Sequence, residues 1–447
     1  MASDWESLVS YAPGASLLDP EPDWVPLDTG HPGLHVAQIQ IRDGKQSQFD
    51  RTGTGKATIT FRDERGYLDP TSPNFLGSIL SSPLAVALRD PVRDEWFPLW
   101  RGHIDDVGMI PVRSRVKFDT ALEAVDALDY WSNFELIPGL AGFSNAQLNA
   151  QGYVFYEDAG FDERCFAVAG DIQWPVELSS FFTGNIICSE SVYSSGDKAL
   201  QVIQEACEAE FASGASLYYI DQRGILQIHG RYARFDPEGV SASASNWTFR
   251  EWKAGDNEAA GSDTGLGGTA KLQPPYQPRL SREFIRNAAL CYPQDTDMAD
   301  IADYIATDEP SRSAHGTRTW TAPNLQIAEE TTIGLTAKQY CQTIANYVVD
   351  NYSSPFPRIA ALTIGTEHPG EKFGPATWEM LAEASISDRV LVTMGHPGGG
   401  GFADEPYFIE GRTIDIRPGP PAHPIIKATF DLTPGVFYEV NPFGAFS

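Results

Sequence analysis

The amino-acid sequence predicts a mainly β protein with α+β insertions, and three observations carry that reading. Alternating runs at 57–61, 84–88 and 425–432 place apolar side chains on one face of a short strand. Turn signals that contain glycine, such as Asp63-Glu64-Arg65-Gly66 and Arg101-Gly102, separate the runs at the spacing of small barrels or sandwiches. Two stretches, 197–211 and 336–352, hold the 3.6-residue period long enough for substantial helices.

The chain has 447 residues, enough for about three domains or two large ones with insertions. Hydrophobic residues make up 42% and charged residues 21%, so a core forms without metals or staples. Asp and Glu number 60 against 32 Lys and Arg, a net charge of -28, which repels phosphate backbones and anionic lipid headgroups. The acids solubilise the surface or, in a tubular assembly, line a lumen that a polyanion crosses without sticking. Cys165, Cys188, Cys207, Cys291 and Cys341 are odd in number and contain no C-x-x-C pair, which argues against a disulfide framework or zinc ribbon and for folding in a reducing cytoplasm. Residues 1–10 carry acids where a signal peptide needs basic residues, and no stretch approaches 18 apolar residues, so neither Sec export nor membrane insertion is expected.

Along the chain, residues 1–30 combine Trp5 and Trp24 with four prolines among acids and read as an extended arm that docks on a neighbour. Residues 31–135 read as a first small β-barrel. Its strand at 35–41 changes alternation after Val36, consistent with a bulge or with two covered faces. Further strands follow at 57–61, 84–88 and 115–118, then a short helix at 121–131. Residues 136–250 read as an inserted α+β domain. It holds short strands up to about 195, a helix at 197–211 with Asp197 as its cap, and a hairpin at 216–228 in which Gly224 takes positive φ. Residues 251–280 form a loop or linker rich in Gly, Ala, Asp and Thr. Residues 281–447 read as a second small barrel with a helical insertion that Thr336 and Gln339 open as a capping box; its strands fall at 359–364, 389–394, 407–416 and 425–432.

No residue is nominated as catalytic, cofactor-binding or metal-ligating, and no cofactor is expected. Thr52-Gly53-Thr54-Gly55-Lys56-Ala57 misplaces the first glycine of a phosphate loop and has Ala57 where magnesium needs a hydroxyl, so it reads as a hairpin turn. Gly265-Leu266-Gly267-Gly268 lacks the strand and helix of a dinucleotide fingerprint. Asp295, Asp297 and Asp300 lack the glycine and glutamate of a calcium loop. The eight histidines include no His-Glu-x-x-His pair, and there is no G-x-S-x-G elbow. The rival enzymatic reading is a glycosidase built on two distant carboxylates, and the aromatic insertions leave a carbohydrate-binding adhesin open.

In order and spacing, these elements resemble the hub protein of siphophage tail tips, a family similar to the baseplate hub of contractile phages. The resemblance rests on Phe49-Asp50-Arg51 through Gly53 to Phe61, Arg65-Gly66-Tyr67-Leu68-Asp69-Pro70, and Leu99-Trp100-Arg101-Gly102-His103-Ile104. It continues in the 199–211 helix with the Tyr219-Ile220-Asp221 hairpin, and in Ser313-Ala314-His315-Gly316-Thr317-Arg318. It closes with the 337–352 helix, Ile386-Ser387-Asp388-Arg389-Val390 and Phe408-Ile409-Glu410-Gly411. It covers most of 30–435, and the segments 136–190 and 251–280 depart from it.

The resemblance implies two small β-barrels of the tail-hub type per chain and a homotrimer whose ring has near sixfold symmetry. That ring would lie below the distal tail protein ring and close or surround the tail channel. Its implied partners are the tape measure protein, distal tail fibre or receptor-binding proteins, and genomic DNA passing only transiently. The implied role is structural, at the virion tail tip, after synthesis in the bacterial host cytoplasm. Some members of the family carry a C-terminal peptidoglycan hydrolase, which this chain, ending at Ser447, does not imply.

Overall fold

The computed structural model describes residues 6–77, 79–90, 94–111, 118–137, 147–148, 153–211, 214–235, 247–250, 269–271, 278–329, 331, 333–366, 375–395, 401–418, 424–438 and 442–443.

The first strands are β1 (Glu6–Tyr11), β2 (Val25–Pro26), β3 (Leu34–Gly44), β4 (Lys56–Asp63), β5 (Pro83–Asp90), β6 (Glu95–Pro111) and β7 (Phe118–Val125). Their period-two burial follows the sequence: Ala57, Ile59 and Phe61 of β4 are buried while Lys56 and Arg62 face water. Along β3 the register against β4 slips between Val36 and Gln38, a bulge where the alternation changes. The expected arm lies on the chain's own sheet: β1 pairs with β5 from Glu6↔Arg89 to Tyr11↔Leu84, and β2 caps β1. The Arg101 guanidinium sits 5.5 Å over the Trp24 ring and donates to the carbonyls of Asp19 and Pro20, so Trp24 is held within its own chain. Trp5 lies outside the described residues.

The helix expected over 121–131 is corrected. Residues to Val125 belong to β7, hydrogen-bonded to both β4 and β6, and α1 (Ala127–Asn133) begins after Asp126, whose carboxylate accepts from the Leu128 amide at 2.9 Å. Leu122 and Ala124 satisfy a buried strand face as well as a helical stripe, and the two neighbouring ladders decide between them. Of the strand expected at 115–118, residues 115–117 lie outside the described residues and Phe118 opens β7.

The middle of the chain holds β8 (Gln147–Leu148), β9 (Val154–Tyr156), β10 (Ala159–Gly160), α2 (Phe161–Asp171), β11 (Ser179–Phe181), β12 (Ile187–Cys188), β13 (Ser191–Tyr193), α3 (Ala199–Phe211), β14 (Leu217–Ile220), β15 (Leu226–His229) and α4 (Tyr232–Phe235). The weak periodicity of this region hid α2. Asp197 accepts from the Ser194 amide and hydroxyl instead of capping α3, because the helix starts two residues later. The expected hairpin forms as β14–β15, with Ile220 opposite Leu226 and Gly224 at φ +84°.

There follow β16 (Trp247–Arg250), β17 (Thr269–Lys271), β18 (Pro278–Arg279), β19 (Ala288–Pro293), β20 (Ile305–Thr307), α5 (Glu309–His315), β21 (Thr319–Leu325) and α6 (Ala337–Tyr352). Of the linker expected at 251–280, residues 251–268, with the glycine loop at 265–268, and 272–277 lie outside the described residues, while 269–271 and 278–279 are strands β17 and β18 rather than loop. Helix α6 opens with the expected capping box of Thr336 and Gln339 and buries Tyr340, Ile344, Tyr347 and Val348. The chain closes with β22 (Arg358–Ile359), β23 (Ala361–Gly365), α7 (Pro375–Glu383), β24 (Arg389–Gly395), β25 (Gly401–Pro418) and β26 (Pro424–Pro434).

The strands expected in the first and second barrels share one thirteen-stranded sheet, ordered β17-β16-β24-β25-β3-β4-β7-β6-β5-β1-β2, with β26 on β25 and β23 on β26. The join is β25 against β3, with Ile414 opposite Ile41 and Ile416 opposite Ile39. One core underlies both sets of strands, uniting Ile59, Phe61 and Leu122 with Val390, Ile409 and Phe430. A second core binds α1, α2, α3, α6 and their small sheets around Phe161, Ile203, Phe211, Cys291 and Ile344. The chain is therefore mainly β with α+β insertions.

Candidate functional site

The most chemically distinctive place in the described structure is a buried polar seam where the α/β middle meets the large sheet. After β15 the chain runs Gly230-Arg231-Tyr232-Ala233-Arg234, and both Arg231, just before α4, and Arg234, within its single turn, are buried in the interior. Arg234 grips the Glu410 carboxylate of β25 through two bonds of 2.5 and 2.9 Å and donates to the Tyr438 hydroxyl at 3.0 Å. Lys45, from the turn after β3, lies 3.5 Å from Glu410 and donates to the Gln48 carbonyl at 3.2 Å. Arg231 lies 3.6 Å from Glu210 of α3, donates to the Tyr340 hydroxyl at 2.5 Å and faces the Phe443 ring.

Burial drives the electrostatics. It pushes the Glu410 carboxyl up, but the adjoining Arg234 and Lys45 charges outweigh it and hold the group at about 2. Burial also lowers Lys45, against the pull of Glu410, and raises Glu210, against the pull of Arg231. A second buried node ties the sheet to itself: Arg412 bonds Asp43 at 2.6 Å, the Leu99 carbonyl at 2.6 Å and the Ala384 carbonyl at 3.3 Å. Beside the seam a cavity of about 60 Å³ is lined by Lys45, Gln48, Asp50, Glu208 and Tyr218, with the Arg51–Glu208 ion pair at 2.7 Å along its wall. Charges buried in this way fix one element against another.

The motifs set aside from the sequence stay apart. Residues 52–57 lead into β4, where the Gly55 amide donates to Asp126 at 2.8 Å. Asp297 accepts from the Ala299 amide, which caps a local turn next to Asp300. Among the described residues no group of three or more His, Cys, Asp or Glu is placed to hold a metal ion, and no helix is long and apolar enough to cross a membrane. Sequence reading missed the seam; its only local signal is a pair of arginines three apart in an apolar setting.

No family model matches the sequence, and no curated protein matches it. Solved structures do. A tail protein from Neisseria meningitidis MC58 aligns over 97% of this chain and 98% of its own, with TM-score 0.55 and 10% identity. The 43 kDa tail protein of prophage MuSo2 from Shewanella oneidensis aligns over 97% and 99%, with TM-score 0.52 and 12% identity. The chain thus has the fold of phage tail proteins, the tail-hub-like fold that its sequence resemblance implies.

Proposed function

We propose that this chain is a non-enzymatic structural hub subunit of a phage tail tip. Three copies form a ring below the distal tail protein ring, surround or close the channel, and anchor the tape measure protein on one side and distal fibre or receptor-binding proteins on the other. The observation that carries the reading is the single sheet traced by both halves of the chain, in a fold shared end to end with two tail proteins. Among the described residues its terminal strands β2 and β17 pair on one side only, and repeated heterologous contacts that close make rings. In this reading the chain acts at the virion tail tip after synthesis in the host cytoplasm. DNA then meets the acidic chain only in passage, and acids along the channel wall keep it from sticking.

Mass measurement and electron microscopy of the purified protein test this. Closed rings at 3 × 48.9 = 146.7 kDa are expected. A chain that stays monomeric alone and with its neighbouring tail proteins overturns the ring. Converting acids on the channel wall to Lys is expected to slow genome ejection with assembly intact; unchanged ejection kinetics return the charge to a solubility role.

A further inference from the structure

The surface of this acidic chain gathers arginines in one place. Antiparallel pairing of β18 with β22 sets Arg279 opposite Arg358. Arg282 donates to the His315 carbonyl at 2.7 Å, and the Arg286 amide donates to the carbonyl of Tyr352, the last residue of α6. The Asn287 amide donates to the Arg318 carbonyl, which brings Arg318 alongside. Arg279, Arg282 and Arg318 are exposed, whereas Arg358 is 5% exposed, lies over the Phe284 ring and has a buried Nε with no hydrogen-bond partner. Among the described residues none of these five makes a salt bridge; Glu283 and Asp50 are the carboxylates whose fields reach Arg286. Burial and then the neighbouring arginine lower Arg286, and burial brings Arg358 down to about 10.

The counterpart lies on the α/β middle. Between Tyr153 and Asp197 the one Lys or Arg is Arg164, which is buried and donates to Ser191, Glu157 and Ser189. Glu157, Asp158, Glu163, Glu177 and Glu190 are exposed there. Phe166, one helical turn after Glu163, is 48% exposed with its ring edge-on to Phe181 at 4.5 Å.

We propose that these surfaces are the two halves of one contact between copies, with the arginine cluster of one chain seated on the acidic, aromatic face of the next. The proposal rests on the ring reading and names the surfaces that close it. Chains of charge -28 repel unless opposite signs meet at the contact, and the cluster concentrates cations that, among the described residues, make no salt bridge. The guanidinium fork matches carboxylates bidentately, and its plane stacks on aromatic faces, so an acidic rim around Phe166 and Phe181 fits it on both counts. The two halves are different patches of the chain, so the contact is heterologous and propagates around a ring.

The test is charge reversal, read by native mass at low and high salt. Arg279→Glu with Arg282→Glu and Arg318→Glu is expected to weaken self-association at least about tenfold, and Glu163→Arg with Glu177→Arg is expected to do the same. Combining both sets in one chain restores assembly. Unchanged melting temperatures, together with a milder loss in the corresponding Arg→Gln and Glu→Gln variants, separate this from misfolding. If wild-type rings form and neither reversal disturbs them, the contact is overturned while the ring stands. If wild type never associates, the ring reading falls and the contact with it. If the arginine variant assembles normally but loses binding to a single-stranded oligonucleotide, the cluster serves phosphate and the contact is overturned.

Discussion

Arg234 and Glu410, 176 positions apart, form a bidentate ion pair with both side chains fully buried. The pair couples the α4 turn, and with it the inserted α/β region, to β25 at the centre of the large sheet. Removing one partner leaves the other charge desolvated, a loss of about 3–5 kcal/mol. Arg234→Met is therefore expected to lower the melting temperature sharply. Replacing Lys45, Arg234 and Glu410 together by Met, Met and Leu is expected to lose less, because no orphan charge remains. Equal losses in the single and triple variants would show that packing, not charge, governs the seam.

The same carboxylate sets an acid limit. Glu410 titrates at about 2 in the folded chain against an ordinary 4.5, so its contribution is complete above about 4.5 and is lost as pH falls toward about 2. Chemical denaturation across this window is expected to show falling stability in wild type and a flatter profile in Glu410→Gln.

Asp431, on β26, behaves in the opposite way. Burial, reinforced by Glu410 and Asp50 and opposed by Arg42, raises it from 3.8 to about 6. A raised carboxyl binds its proton more tightly when folded, so its contribution is full below 3.8 and is lost as pH rises through about 6. Asp431→Asn is expected to raise the melting temperature at neutral pH, with the gain vanishing in acid. A neutral-pH loss would mean that the charged form has a partner worth keeping.

Gly66 sits in the turn after β4 at φ +74°, as the sequence leads one to expect, and a Cβ there would lie 2.6 Å from the Ser72 hydroxyl oxygen. Both strain and collision oppose Gly66→Val, which is expected to destabilise by at least about 1 kcal/mol. An unchanged melting temperature with normal incorporation into particles would refute the turn assignment.

Thr336 accepts from the Gln339 amide at 3.3 Å, while Gln339 accepts from the Thr336 amide at 3.1 Å. Thr336→Ala is expected to cost about 1 kcal/mol, and Thr336→Asp to recover most of it. Hydrogen exchange in the first turn of α6 distinguishes a lost cap from a global effect.

What the sequence determined by itself is local: the hairpin closed at Gly224, the cap at Thr336 and the positive φ of Gly66 all follow from neighbouring residues and the backbone angles they allow, whereas the changed alternation after Val36 left a bulge and two covered faces both open. The period-two runs likewise announce strands and the faces they bury. They do not announce partners, because an alternating strand satisfies its ladder on any free edge of matching register. Residues 121–125 therefore read as helix until β4 and β6 claimed them. Tertiary structure alone decided that Ile41 lies beside Ile414, which places strands of both expected barrels in one sheet and over one core. It alone brought Arg234 to Glu410, since an arginine in an apolar stretch records that a charge will be buried but not which distant carboxylate will offset its desolvation.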